Sequence, residues 1–89
     1  MLARVSVTLK PGVLDPQGKA IEGALASLGI AGIGRVRQGK LFEIEVDATD
    51  PAAARATVEA ACRELLANLV VENYVVAIED ATAPLGADA

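Results

Sequence analysis

Leu9-Lys10-Pro11-Gly12-Val13-Leu14-Asp15-Pro16-Gln17-Gly18 closes a strand, turns and opens a helix in quick succession. Lys10 precedes a proline, which pushes its backbone toward extended geometry. Pro11-Gly12 suits a type II turn, proline fixing one dihedral and glycine accepting the positive φ that follows. The Asp15 carboxylate can cap the next helix. Pro16 suits the first helical position, where a missing N–H costs nothing. Val13 and Leu14 are apolar inside a turn, an unusual placement that makes the connector a candidate contact surface.

Outward from this stretch the pattern is regular. Before it, Ala3, Val5, Val7 and Leu9 alternate with Arg4, Ser6, Thr8 and Lys10, the period of a strand with one apolar face. After it, Ile21, Ala24, Leu25 and Leu28 recur at helical spacing and Gly29 stands at the C-terminal position. The spacing predicts a first helix from about Pro16 to Leu28 whose stripe can cover the apolar face of the first strand. An apolar loop, Ile30-Ala31-Gly32-Ile33-Gly34, leads into a second strand over Ile33–Gln38. Gln38-Gly39 reads as a hairpin into a third strand that alternates through Phe42, Ile44 and Val46. A single long strand bent at Gly39 is the alternative.

Asp50-Pro51 repeats the Asp-Pro helix start. Val58, Ala61, Cys62, Leu65 and Leu66 form the stripe of the second helix, with Asn68 as a left-handed C-terminal cap. A last strand, Tyr74–Glu79, is apolar on both faces and so is expected to be covered on both. Residues 81–89 read as a flexible tail after a single domain over residues 1–80. The order strand, helix, strand, strand, helix, strand points to an α+β two-layer sandwich: a βαββαβ ferredoxin-like arrangement with an antiparallel sheet and two helices on one face. The other face would carry Arg4, Ser6, Thr8, Glu43 and Glu45 with Leu41, Val75 and Ala77, a mixed surface suited to assembly.

Composition excludes several function classes. The 89 residues include 8 basic and 12 acidic side chains, a net charge of −4, which argues against a nucleic-acid or anionic-membrane partner. Phe42 and Tyr74 alone are aromatic, so base-stacking platforms are missing. No apolar run is long enough for a membrane span and no signal peptide is evident, so a cytoplasmic location is expected. With no histidine and one cysteine, neither a Cys/His zinc site nor an internal disulfide can form, and Ser6, Ser27 and Cys62 lack the usual activating base. Glu43, Glu45 and Asp47 read as solubilising acids, and Arg35, Arg37, Lys40 and Lys10 as a local basic patch or ordinary surface charge. The glycines at positions 29, 32 and 34 follow a helix, the wrong context for a phosphate loop. Hydrophobic residues make up 53%, high for so small a domain, and read equally as an alanine-rich composition or as a subunit that buries surface against partners.

Three segments, in this order and spacing, resemble one family. They are Val7 to Gly18, then Val36-Arg37-Gln38-Gly39-Lys40, then Cys62-Arg63-Glu64-Leu65-Leu66-Ala67-Asn68 with Glu72 and Tyr74. Together they resemble the PurS subunit of phosphoribosylformylglycinamidine (FGAM) synthase over about Val5 to Glu79, with Leu69 standing where that family has a proline. The resemblance implies a ligase of purine biosynthesis that uses ATP and glutamine. A synthetase (PurL-type) subunit would bind ATP, magnesium and the ribonucleotide, and a glutaminase (PurQ-type) subunit would release ammonia. The small chain would self-associate as a homodimer or higher homo-oligomer and bridge the two, with no catalytic, cofactor or metal site of its own. On that reading Lys10, Pro11, Gly12, Asp15, Arg37 and Lys40 lie at partner contacts, and Asn68, Glu72 and Tyr74 shape self-association. A dimeric regulatory module that binds a small molecule is the alternative.

Overall fold

The computed structural model describes residues 1–79. Strand β1 (Leu2–Leu9) is followed by helix α1 (Pro16–Ser27), strand β2 (Gly39–Glu45), helix α2 (Pro51–Ala61), a π-helical turn (Cys62–Leu66) and strand β3 (Glu72–Glu79). The three strands form one antiparallel sheet in the order β2-β1-β3, with β1 central. Val5 pairs with Phe42 on one side and Val76 on the other, and Val7 pairs with Lys40 and Tyr74. Because cross-strand partners share a face, Ala3, Val5, Val7, Phe42, Ile44, Tyr74, Val76 and Ile78 all point to one side.

Helix α2 covers that side. Ala54, Val58 and Cys62 recur every fourth residue, and each is at most 1% exposed against Ala3, Val5 and Val7. The π turn extends this contact. Its bond from Ala67 N–H to the Cys62 carbonyl, 3.0 Å, spans five residues. At 3.6 residues per turn, positions five apart lie well round an α-helix from each other; the wider turn brings both inward, and both are buried.

The α+β class and the antiparallel sheet are those expected, while four details differ. The expected strand over Ile33–Gln38 is irregular, and the chain runs through Gly39 into β2 without a hairpin. The reason is local: Val36 and Gln38 donate their N–H groups to Glu22 and Asp15 side chains instead of to a neighbouring strand. Gly39 is the residue the approach requires, since a Cβ there would stand 2.6 Å from the Val7 carbonyl oxygen. Helix α1 does not lie with α2 on one sheet face. Its closest approach is to Val36, it makes no extensive contact with a strand among the described residues, and Gly18 is its one buried residue. Strand β3 is covered on one face alone, Val75 being 67% exposed. Asn68 is not left-handed, because no non-glycine residue has positive φ among the described residues; the π turn ends the helix first. Residues 81–89, expected as a tail, lie outside the described residues.

Candidate docking site

The quoted connector folds as its residues dictate. Gly12 has φ +88°, and the Val13 N–H donates to the Lys10 carbonyl at 3.1 Å, closing the Pro-Gly turn. Asp15 caps α1 by accepting from the Gly18 N–H at 2.9 Å through Oδ1. Its other oxygen accepts from the Gln38 N–H at 2.7 Å, so one carboxylate joins the helix start to the segment entering β2. Asp15 is 7% exposed. The Gln38 bond first, then the Gly18 bond and the nearby Arg37 charge, hold its carboxyl below the usual carboxylate range, against the opposing effect of burial.

Arg37 serves the same loop from outside. Its Nη2 donates to the carbonyls of Leu9 at 2.8 Å and Lys10 at 3.2 Å, and its Nη1 to that of Val13 at 3.4 Å. A planar guanidinium with several donors suits such a cluster of carbonyls better than an ammonium would. The Lys10 N–H meanwhile donates to the Val71 carbonyl at 2.8 Å, prolonging the β1–β3 ladder. Lys10, Asp15 and Arg37 are therefore gathered into one braced loop. Pro11 and Gly12 lie exposed at its tip.

The remaining sequence candidates form a second group. Lys40 Nζ lies 3.7 Å from Glu72 Oε2, across the end of β1. The other Glu72 oxygen accepts from the Asn68 N–H at 2.7 Å. The Asn68 side chain accepts from the Val70 N–H, and its carbonyl from the Val71 and Glu72 N–H groups, giving a compact turn into β3. Tyr74 is half-buried against the core. The structure thus joins Lys40, expected at a partner contact, to Glu72, expected at a self-association contact. With Lys40 in an ion pair and Arg37 turned onto carbonyls, the expected basic patch is reduced to Lys10 and Arg35.

Two open clefts flank these groups. One, of about 240 Å³, lies between the braced loop and α1 and includes Leu14, Lys19, Glu22 and Arg35 in its walls. The other, of about 310 Å³, lies between the start of α1 and the Lys40–Glu72 pair. Neither contains a nucleophile beside a base. Cys62 is fully buried, and burial, then the charge of Glu59, push its thiol up, away from reactivity. Among the described residues no three His, Cys, Asp or Glu side chains gather as metal ligands, and no helix is long and apolar enough to cross a membrane.

What the surface offers instead is apolar area. Along α1 and the loop after it, Ile21, Leu28, Ile30 and Ile33 are 38%, 74%, 48% and 51% exposed. The open sheet face adds Leu41 and Val75, which flank Ser6 from opposite strands. Sequence periodicity located the α1 stripe but assigned it to the sheet. The exposure of Leu14, 71%, had a signal in its apolar character inside a turn. Glu22 had none, because its bond to Val36 depends on a loop whose course no periodicity specifies.

A family model described as PurS: Phosphoribosylformylglycinamidine (FGAM) synthase matches residues 2–80. The chain belongs to the PurS family. It is 44% identical over 84 residues to the Synechocystis phosphoribosylformylglycinamidine synthase subunit PurS, a match covering 91% of this chain and 84% of that one. The crystal structure of Methanocaldococcus jannaschii PurS superposes with a TM-score of 0.83 at 34% identity, covering 89% of this chain and 95% of that one. A chain in the structure of Thermotoga maritima PurLQS superposes with a TM-score of 0.77 at 35% identity, covering 86% and 96%. The PurS resemblance carried by the three sequence segments therefore extends through the fold.

Proposed function

We propose that this chain is the small subunit of a glutamine-dependent FGAM synthase, and that it works by joining a PurL-type synthetase subunit to a PurQ-type glutaminase subunit. The observation that carries the reading is the superposition of 86% of this chain on a chain of Thermotoga maritima PurLQS. The chemistry then belongs to the partners. ATP and magnesium are used by the synthetase subunit, and ammonia is released by the glutaminase subunit. Free ammonia is protonated and diluted unless the two sites are held together, so a rigid connector raises its effective concentration at the second site.

The exposed α1 stripe supports self-association as part of that role. A monomer this small seldom leaves so much apolar side-chain surface on one helix and the loop behind it. We place the homo-oligomer contact there, with Glu72, and beside it Asn68 and Tyr74, across the cleft from the start of α1. The proposed location is the cytoplasm, where purine synthesis would place its soluble subunits. Mixing the purified chain with PurL-type and PurQ-type subunits in the presence of glutamine and nucleotide, followed by sedimentation, tests the assembly. A heavier species containing all three chains is expected; two subunits sedimenting together without this chain would remove its bridging role.

A further inference from the structure

Leu14 combines two properties that rarely meet. Its side chain is 71% exposed, yet its backbone sits between two of the most restrained positions in the chain. On one side the Val13 carbonyl is held by Arg37 and the Val13 N–H by Lys10. On the other, Asp15 is buried with both oxygens in hydrogen bonds. Folding has already removed the loop's backbone freedom, so a partner that takes up this leucine orders little beyond a single side chain. An apolar side chain held out from a fixed backbone is the arrangement in which one residue can dominate an interface.

The surroundings indicate what would receive it. In the wall of the adjoining cleft the Lys19 ammonium lies 3.9 Å from Glu22 and the buried Asp15 carboxylate lies near Arg37, so the two acids are offset and the exposed Arg35 leaves the wall cationic. The chain as a whole carries −4, so this cationic setting runs against the net charge. We propose that Leu14 is a preformed docking knob for a partner subunit of the synthase, one that presents an apolar socket with carboxylates at its rim. Arg37 is its positioning residue, acting through the Leu9, Lys10 and Val13 carbonyls. The proposal rests on the bridging function above.

The test uses the full chain with its synthetase and glutaminase subunits, and reads glutamine-dependent product formation as this chain is titrated. Leu14→Asp is expected to raise the half-saturating concentration roughly ten- to hundredfold, the range for losing one buried leucine, with the saturating rate retained. Leu14→Met, which keeps the apolar volume, should stay near the parent. Melting temperature and self-association should not move with Leu14→Asp. Arg37→Met should shift the half-saturating concentration in the same direction and speed hydrogen exchange at the Val13 amide. An unchanged titration for Leu14→Asp, or a change confined to self-association, overturns the knob. If the parent chain does not stimulate product formation at all, it is the bridging function that fails, and the knob falls with it.

Discussion

Asp15 and Asp50 both precede a proline and both cap a helix, yet they carry different loads. Asp50 accepts one bond, from the Ala53 N–H at 3.0 Å, and lies exposed. Asp50→Ala should therefore cost about 1 kcal/mol, the ordinary value of a lost cap. Asp15→Ala should cost more, because the Gln38 tie is lost with the cap, and thermal melts of the two variants side by side give the order. Asp15 also adds a pH signature. Its folded pKa lies below the value in the unfolded chain, so its contribution is fully present above that unfolded value, about 3.9, and is lost as pH falls through the lower folded one. The stability gap between the parent and Asp15→Asn should be widest at neutral pH and close below pH 4, which urea midpoints across pH would register. Both caps were legible in the sequence as Asp-Pro pairs. The second bond of Asp15 was not, since it reaches a residue 23 positions away.

At the scale of the element, α1 is a helix whose formation and placement have separate causes. Its formation follows from Pro16, the Asp15 cap and the C-terminal glycine, with Gly29 at φ +78°. Its placement follows from Glu22, Asp15 and the approach of Gly18 to the Val36 carbonyl, where a Cβ would collide. Gly18→Ala should destabilise by about 1–3 kcal/mol through that overpacking. Gly23→Ala, in open space on the same helix, should stabilise by about 0.5–1 kcal/mol from helix propensity alone. Opposite signs in thermal melts are the expected result. Periodicity could give the apolar stripe of α1 but not its destination, because a stripe reports that a face is apolar and not what it meets. The same limit applies to β3, whose second apolar face stands open in the single chain, and to residues 33–38, read as a strand although Val36 and Gln38 donate to the Glu22 and Asp15 side chains and not to a ladder partner. Helix α2 was read correctly at Val58 and Cys62, because there its stripe and the faces of β1 and β3 complete each other within one chain; Leu65, expected on the same stripe, falls in the π turn and is 83% exposed. Val58→Ala should accordingly cost about 2 kcal/mol, seen in the urea midpoint.

For the whole molecule, the division between a closed core and an open apolar surface is what relates the fold to its function. The core is small: β1 is covered by α2, the π turn and the neighbouring strands, and it leaves Ile21, Leu28, Ile30 and Ile33 outside. Replacing Ile21 and Leu28 by serine together should shift the chain toward monomer in sedimentation at fixed concentration, with the far-ultraviolet spectrum retained. The function was legible at this scale through a resemblance carried by three segments, and physical reading of the residues supplied the complementary half, a chain with no nucleophile–base pair and an apolar surplus. The most direct measurement of the bridging role compares two nitrogen sources for a synthetase subunit mixed with a glutaminase subunit. With glutamine, FGAM formation should depend on adding this chain; with a saturating ammonium salt, it should not. FGAM formation from glutamine at the same rate with and without the chain would contradict the account.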